Sequence, residues 1–292
     1  MNLSIAGGFI IGARLKTLIS SISPVLVGTV MACDTNRLCF SIFMPTLLFA
    51  LFVQIGMNFA NDYLDFLKKA DTAERVGPCR AVQSGLVSVC AMRMATFGTL
   101  IIAGVVGLYL MHVGGWQIGA LALLAILLAY FYSGGPYPIG YLGLGDLCVL
   151  LFLGPTATVG TAYLQTQTLS LNVAIAGLAL GLFSTVMIAM NNLRDLEQDR
   201  IASKKTLPVR FGTLFGKWEI TCCLILPHII PLYLFYRTNA HPLSLLSICG
   251  LFPSISLIRA LFEDKKLPLL FHKTICIFTL YTMLFTLGWV FS

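Results

Sequence analysis

Long apolar segments separated by short polar stretches run along almost the whole chain. A helix needs about 20 mostly apolar residues to cross a bilayer, and nine segments approach that length. This pattern predicts an all-α, polytopic membrane protein that forms a single transmembrane domain over residues 1–292. The nine predicted spans are 15–33, 40–60, 93–112, 115–133, 144–164, 172–192, 218–236, 243–261 and 271–291.

Composition agrees with this prediction, and the placement of charge adds an orientation. Hydrophobic residues make up 58% of the chain and charged residues 11%, with a mean hydropathy of +0.88, which excludes an ordinary soluble domain. Seventeen of the 19 Lys and Arg residues fall on one side of the predicted spans, and only Arg37 and Arg237 fall on the other. Because basic loops stay in the cytoplasm, we expect the N-terminus inside and the C-terminus outside. The net charge of +7 then reflects loops at a lipid bilayer, and no nucleic-acid partner is expected.

One apolar segment ends in a cluster of amide and acidic side chains. Asn58, Asp62 and Asp65 are spaced i, i+4 and i+7, so they lie on one narrow face of a helix. Oxygen ligands of this kind suit Mg²⁺, which keeps coordination positions open for substrate phosphates. The alternative is an interfacial helix end that happens to be acidic.

A second apolar segment ends in the same way, which favours the metal-site interpretation. Asn191, Asp195 and Asp199 are spaced i, i+4 and i+8, and Asn192 lies beside them. Chance acidic helix ends are not expected to repeat this arrangement. We therefore predict Mg²⁺ sites at the cytoplasmic ends of two spans.

A basic, glycine-containing loop follows each acidic helix end. By itself such a loop is typical of a cytoplasmic membrane anchor, but beside carboxylates that bind a metal it suits a diphosphate. The cations concerned are Lys68, Lys69, Arg75 and Arg80 in the first loop and Lys204, Lys205 and Arg210 in the second. Between the two acidic ends, glycines and prolines around Tyr141 and Asp146 predict either a lid with an aromatic pocket or an interfacial tyrosine belt with a helix cap.

These features together favour prenyl transfer. A metal-bound diphosphate is a good leaving group, and its departure from an allylic carbon gives a carbocation that an electron-rich acceptor can attack. Such a reaction needs no nucleophilic side chain, and the scattered His and Cys residues suggest none. A cation transporter is the competing class, but transporter sites usually lie on broken helices near the bilayer midplane.

The chain resembles the UbiA superfamily of intramembrane aromatic prenyltransferases, most closely its naphthoate-prenylating branch in menaquinone synthesis. Lys69 and Ser203 depart from the family pattern, which has Gly at both positions. The motifs that carry the resemblance are Asn58 to Asp65, Asp71 to Gly85, Tyr141 to Asp146, Asn191 to Asp199, and Lys204 to Gly212.

The resemblance implies a nine-helix bundle around a central cavity, in the inner membrane, with its active site open to the cytoplasm. The implied reaction is Mg²⁺-dependent transfer from a polyprenyl diphosphate to 1,4-dihydroxy-2-naphthoate with decarboxylation; another aromatic acceptor, such as 4-hydroxybenzoate, is the alternative. The implied catalytic residues are Asp62, Asp65, Asp195 and Asp199, which with Asn58 and Asn191 are the metal ligands. The implied substrate-binding residues are Asn58, Asn61, Arg75, Arg80, Tyr141, Asp146, Asn192, Lys204, Lys205 and Arg210.

Overall fold

The computed structural model of the protein describes residues 4–33, 38–70 and 77–292. Within these ranges the regular structure is entirely helical, as the hydrophobic pattern predicts. The α-helices are α1 Ile5–Ala13, α2 Ile19–Ala32, α3 Phe40–Leu67, α4 Val89–Gly114, α5 Trp116–Phe131, α6 Gly145–Leu151, α7 Ala157–Thr166, α8 Leu171–Arg194, α9 Leu196–Ile201, α10 Leu207–Phe211, α11 Thr213–Ile225, α12 Ile230–Thr238, α13 Leu251–Phe262 and α14 Leu267–Val290.

The predicted polytopic membrane architecture is confirmed. In the described residues seven helical segments are long and apolar enough to cross a membrane, and α1 with α2 makes an eighth if this pair, bent by 50°, is one span. The remaining predicted span corresponds to α5, which has 16 residues and falls short of the usual length of about 20. The count of nine and the side of the N-terminus therefore stay predictions.

Helix α8 lies at the centre of the bundle, packed by α2, α11 and α14. Phe183 and Val186 on this helix have no exposed surface. The ring of Phe183 stacks on that of Phe278 in α14, with centroids 5.2 Å apart. A helix that is apolar on all sides is typical of a protein core or a membrane span. Because other helices also enclose α8, they position the end of α8 that carries the second acidic motif.

A break between α6 and α7 packs its backbone directly against α8. The connecting segment Phe152–Thr156 is a wide turn that contains Gly154 and Pro155. A Cβ atom on Gly181 of α8 would collide with the carbonyl oxygen of Leu150, and one on Gly154 would collide with the backbone of α8. Small residues let helix backbones approach this closely inside a membrane.

A largely apolar cavity of about 1150 Å³, counting the space at its open side, lies between α2, α3, α4, α5 and the α6–α7 unit. This cavity agrees with the central cavity that the family resemblance implies. It extends from Met57 and Ile139, near the acidic end of α3, to Ile118 and Leu164 near the opposite ends of the helices. A hydrocarbon chain could therefore extend from the acidic helix end into the bundle.

Candidate active site

Asp65, at the end of α3, lies at the centre of the polar cluster. Its side chain is 2% exposed, and its carboxylate accepts hydrogen bonds from three side chains. The donors are Asn61 Nδ2 at 2.9 Å, the Tyr141 hydroxyl at 3.0 Å and Lys204 Nζ at 3.1 Å. These donors come from three separate stretches of sequence, so the fold brings the first acidic motif, the tyrosine segment and the second basic loop together.

Lys204 joins the two acidic motifs. Its Nζ atom lies 3.1 Å from Asp65 Oδ2 and 3.7 Å from Asp199 Oδ1. The backbone N–H of Lys204 also donates to the carbonyl of Asp199 at 2.8 Å. Side chains from the two acidic motifs therefore face one point.

Tyr141 lies between two lysines. Lys68 Nζ is 4.8 Å from the centre of the Tyr141 ring, and Lys204 Nζ is 4.7 Å from it. Ammonium groups at this distance are attracted by the π electrons of the ring. Burial lowers the pKa of Lys68 and the charge of Lys204 adds to this effect, whereas Asp65 opposes it.

Asp62 holds the loop that follows α3 rather than joining this cluster. Its two carboxylate oxygens accept the backbone N–H groups of Ala81 and Val82, at 3.1 and 2.9 Å. Arg80, which precedes this pair, is 9% exposed. Asp62 thus fixes the position of Arg80 relative to the helix end. The predicted Arg75 lies outside the described residues.

The second acidic motif is not one continuous helix. Helix α8 ends at Arg194, and α9 begins at Leu196 after a non-helical Asp195 with φ −94° and ψ 13°. The guanidinium of Arg194 donates two hydrogen bonds of 2.7 Å to the carboxylate of Asp195. Asn191, Asp195 and Asp199 therefore do not lie on one continuous helix face. Asp195 pairs with Arg194, whereas Asp199 lies near Lys204.

Asn58 and Asn61 connect α3 to the bend between α1 and α2. Asn58 Nδ2 donates to the carbonyl of Ala13 at 2.8 Å and contacts Thr17 Oγ1 at 3.2 Å. Asn61 accepts a 2.5 Å hydrogen bond from Arg14 and donates to Ser133 Oγ at 2.8 Å. Both amides hold neighbouring segments around the end of α3.

The buried Asp146 and the half-buried Asn192 form a separate pair. Asn192 Nδ2 donates to both carboxylate oxygens of Asp146, at 3.3 and 3.4 Å. Asp146 therefore links α6 to the last turn of α8, and it makes no side-chain cap at the start of α6. Asn191 is partly exposed in the same turn, and its carbonyl accepts the N–H of Asp195 at 2.9 Å.

Lys205 and Arg210 lie on the exposed side of the cluster. The guanidinium of Arg210 donates to the carbonyls of Leu142 at 2.6 Å and Lys205 at 2.9 Å. The N–H of Lys205 donates to the carbonyl of Tyr141 at 2.9 Å. These contacts tie the tyrosine segment to the second basic loop, so Arg210 holds the position of Tyr141 and Lys204.

The two departures from the family pattern coincide with unusual backbone conformation. Lys69 has φ 57° and Ser203 has φ 58°. This left-handed region is readily adopted by glycine and disfavoured for other residues. The structure thus gives a physical reason for glycine at both positions and shows that this chain makes left-handed turns there without it.

The donor set partly fits a Mg²⁺ ion. Within residues 4–33, 38–70 and 77–292, no three His, Cys, Asp or Glu side chains group closely enough to hold a metal. Asp65 and Asp199, however, already approach a common cation, the ammonium of Lys204. Carboxylate oxygens are the ligands that Mg²⁺ prefers, so this pair supplies ligands of the right kind at a place where a cation already lies.

Two residues of this region are not among the predicted site residues, although Lys68 is one of the cations of the first basic loop. Lys68 Nζ donates to the carbonyl of Ser133 at 2.6 Å, which orders the tyrosine segment beside α3. Glu219 in α11 has a buried carboxylate oxygen without a hydrogen-bond partner among the described residues. A charged residue inside an apolar segment is the signal that could have identified Glu219.

Comparison with known proteins shows which family the sequence matches. The model of the UbiA prenyltransferase family matches residues 21–275. A 1,4-dihydroxy-2-naphthoate octaprenyltransferase of Escherichia coli (strain K12) is 35% identical over 236 residues, 79% of this chain and 76% of that protein. Proteins of the same name from Haemophilus influenzae and Mycobacterium tuberculosis are 34% and 36% identical, over 73% and 69% of this chain and 71% and 68% of theirs.

Solved structures show the same fold. A UbiA homologue from Archaeoglobus fulgidus bound to DMAPP and Mg²⁺ has a TM-score of 0.66 and 17% identity, covering 97% of this chain and 98% of that one. The apo structure of a UbiA homologue from Aeropyrum pernix K1 has a TM-score of 0.73 and 12% identity, covering 93% and 97%. At these identities the likeness concerns the fold alone.

Proposed function

The chain belongs to the UbiA prenyltransferase family, and on that basis we propose that it transfers a polyprenyl chain from a polyprenyl diphosphate to 1,4-dihydroxy-2-naphthoate. The relatives of that name support this choice of acceptor. The observation that carries the proposal is the approach of Asp65 and Asp199 to one cation at the end of α3, the helix whose Gln54 and Met57 line an apolar cavity. The charged groups that would bind the metal and the diphosphate, and the apolar space that would take the hydrocarbon chain, therefore lie along the same helix.

The proposed reaction breaks the bond between C1 of the prenyl chain and the diphosphate oxygen, and the electron pair of that bond leaves with the diphosphate. The ring carbon that bears the carboxylate supplies the electron pair for the new bond to C1. Carbon dioxide then departs, and the electrons of its bond to the ring restore aromaticity. Diphosphate, carbon dioxide and the prenylated diol are the products, so neither a nucleophilic side chain nor a base at the ring is required.

The residues of the cluster have separable roles in this reaction. Asp65 and Asp199 would hold Mg²⁺, and the predicted ligands Asn58, Asp62, Asn191 and Asp195 would join them only if their present contacts rearranged. The chemistry that a bound Mg²⁺ would supply is neutralisation of charge on the departing diphosphate. Lys204 and Lys68 would bind diphosphate oxygens, and the apolar cavity would keep water away from the allylic carbon.

Purified protein in lipid, supplied with Mg²⁺, a polyprenyl diphosphate and labelled acceptor, tests the proposal directly. We expect a prenylated lipid product and one carbon dioxide for each chain transferred to 1,4-dihydroxy-2-naphthoate. Removal of Mg²⁺ by a chelator should abolish the product. Faster prenylation of 4-hydroxybenzoate, with its carboxylate retained, would contradict the proposed acceptor and leave the diphosphate chemistry intact.

Substitution of Asp65 tests the site itself. Asp65→Asn keeps the shape of the side chain but removes its charge, and we expect turnover to fall at least about 100-fold. Glu197→Gln is the matched control, because Glu197 lies 73% exposed on the neighbouring helix and pairs with the exposed Arg200. Equal turnover in the Asp65 variant and this control would remove Asp65 from the metal site.

Asp62→Asn and Asp195→Asn extend the same test to the other two predicted carboxylate ligands. We expect each to lower turnover by orders of magnitude while leaving an inserted protein. Since Asp62 also holds the N–H groups of Ala81 and Val82, its variant should in addition make the following loop more sensitive to protease. Turnover like that of the wild type in both variants would restrict metal binding to Asp65 and Asp199.

A further inference from the structure

One polar side-chain pair lies on the wall of the apolar cavity. Ser21 of α2 donates from its hydroxyl to Gln54 Oε1 of α3 at 3.1 Å, and both residues line the cavity. Two threonine hydroxyls of the cavity wall are already used within their own helices: Thr46 donates to the carbonyl of Ile42, and Thr161 to that of Ala157. Gln54 differs from these two threonines.

The amide nitrogen of Gln54 has no acceptor among the described residues. The residue is 5% exposed, and buried amide groups are nearly always hydrogen-bonded. If the amide is turned by 180°, Ser21 pairs with its nitrogen and the oxygen is left instead. In either orientation one polar atom of Gln54 is left for a group within the cavity.

Gln54 lies on the helix face that carries the acidic motif. It precedes Asn58 by four residues and Asp65 by eleven, so the three side chains fall on one stripe of α3. The separation along the helix axis is about 6 Å from Asn58 and about 16 Å from Asp65. The allylic carbon of a diphosphate held at Asp65 then lies between Asp65 and Gln54, and the reacting ring must contact that carbon.

A hydrocarbon chain cannot form a hydrogen bond with Gln54, whereas an acceptor that bears hydroxyl and carboxylate oxygens can. We propose that Gln54, oriented by Ser21, binds an oxygen of the aromatic acceptor at the inner side of the reacting carbon. This inference rests on the proposed function and assigns the part of the cavity that holds the acceptor. The remainder, towards Ile118 and Leu164, takes the prenyl chain.

Separate measurement of KM for the two substrates tests the assignment. For Gln54→Leu we expect KM for the naphthoate acceptor to rise about tenfold or more, as expected for a lost hydrogen bond to a charged group. The KM for the polyprenyl diphosphate should change less than twofold. Gln54→Asn should recover part of the acceptor affinity, and Ser21→Ala should weaken it less than Gln54→Leu.

Thr161→Val is the matched control, because it removes a hydroxyl from the same wall without removing a group that lacks a partner. It should leave KM for the acceptor unchanged. The melting temperature of each variant identifies effects of misfolding, and direct binding of the naphthoate to the purified protein without diphosphate gives a readout apart from turnover.

Two results would overturn the inference. One is an unchanged KM and an unchanged binding affinity for the naphthoate in Gln54→Leu. The other is a rise that is confined to KM for the polyprenyl diphosphate, because this result would place the prenyl chain, and not the acceptor, at Gln54. Failure of the wild type to prenylate the naphthoate would instead contradict the proposed function, and the same comparison would then be made with the acceptor that it does use.

Discussion

Lys204 neutralises two buried carboxylates that come from distant parts of the chain. The side chain of Asp65 is 2% exposed and that of Asp199 is 10% exposed, and both face Lys204 Nζ. Removing one partner of a buried ion pair leaves the other charge uncompensated in the protein interior, where water solvates it poorly. Lys204 thus stabilises the cluster in the arrangement that the structure describes.

Lys204→Met should lower the free energy of unfolding by roughly 3 kcal/mol, because Asp65 and Asp199 lose their common cation. Mg²⁺ should then raise the melting temperature of this variant more than that of the wild type, since the ion takes the place of the ammonium. Lys205→Met is the control, because Lys205 is exposed and the contacts described for it are made by its backbone. The same response to Mg²⁺ in all three proteins would contradict the prediction.

Ser203→Gly and Lys69→Gly should stabilise the protein. A non-glycine residue in the left-handed region costs about 1–2 kcal/mol, of which the larger chain entropy of unfolded glycine offsets part. We expect a gain of up to about 1 kcal/mol for each, measured by thermal unfolding. Ala202→Gly, next to Ser203 but with φ −76°, should destabilise, and a gain at that position as well would argue against the conformational cause.

At the scale of the helices, the contact between α8 and the α6–α7 break shapes one wall of the cavity. Phe152 and Leu153 of the break line the cavity, while Gly154 packs against α8. The backbone contact at Gly181 therefore determines how far this wall lies from α3 on the other side. A substitution at Gly181 can therefore change the shape of the cavity, although Gly181 is not one of the residues that line it.

Gly181→Ala should destabilise the protein by about 1–3 kcal/mol or more, because the new methyl group collides with the carbonyl of Leu150 rather than with a movable side chain. Gly104→Ala on α4 is the matched control, since no atom lies within 4 Å of the position that its Cβ would take. Thermal unfolding of both variants in the same lipid provides the measurement. Equal melting temperatures would show that α6 and α8 can separate at little cost.

At the scale of the whole molecule, the unequal distribution of charge gives a topology. On the nine predicted spans, 17 of the 19 Lys and Arg residues fall on the side of the acidic helix ends, and basic loops favour the cytoplasm. We therefore expect the active site to open to the cytoplasm, where a water-soluble acceptor is available. With nine spans the two termini lie on opposite sides, whereas eight spans would put them on the same side.

Accessibility labelling of cysteines introduced into a functional protein distinguishes these topologies. Positions 84 and 205 should react from the cytoplasmic side, and position 292 from the other side, because α5 completes a ninth crossing. A cytoplasmic position 292 would mean that α5, at 16 residues, does not cross the membrane. The labels at 84 and 205 would then still report the orientation of the site.

The helical membrane architecture could be predicted from the amino-acid sequence, and so could the types of residue that cluster at the end of α3. Apolar segments near the length of a bilayer crossing leave helices as the available structure, because backbone groups in lipid must be hydrogen-bonded within their own segment. Asp65, Asp199 and Lys204 could be identified for a similar reason, since charged groups at the ends of apolar helices are costly unless they have partners or a function. Composition and spacing were sufficient at this level.

Which of these groups meet depends on the tertiary packing and could not be predicted in the same way. Asp65 and Asp199 share Lys204, whereas Asp62 binds the loop after α3 and Asp195 pairs with Arg194. Spacing along a helix gives the face on which a side chain lies, but the partner depends on how neighbouring helices and loops are packed. The polar atom that Gln54 leaves to the cavity arises from that packing, because Gln54 is held by Ser21 of another helix, a residue far from it in sequence.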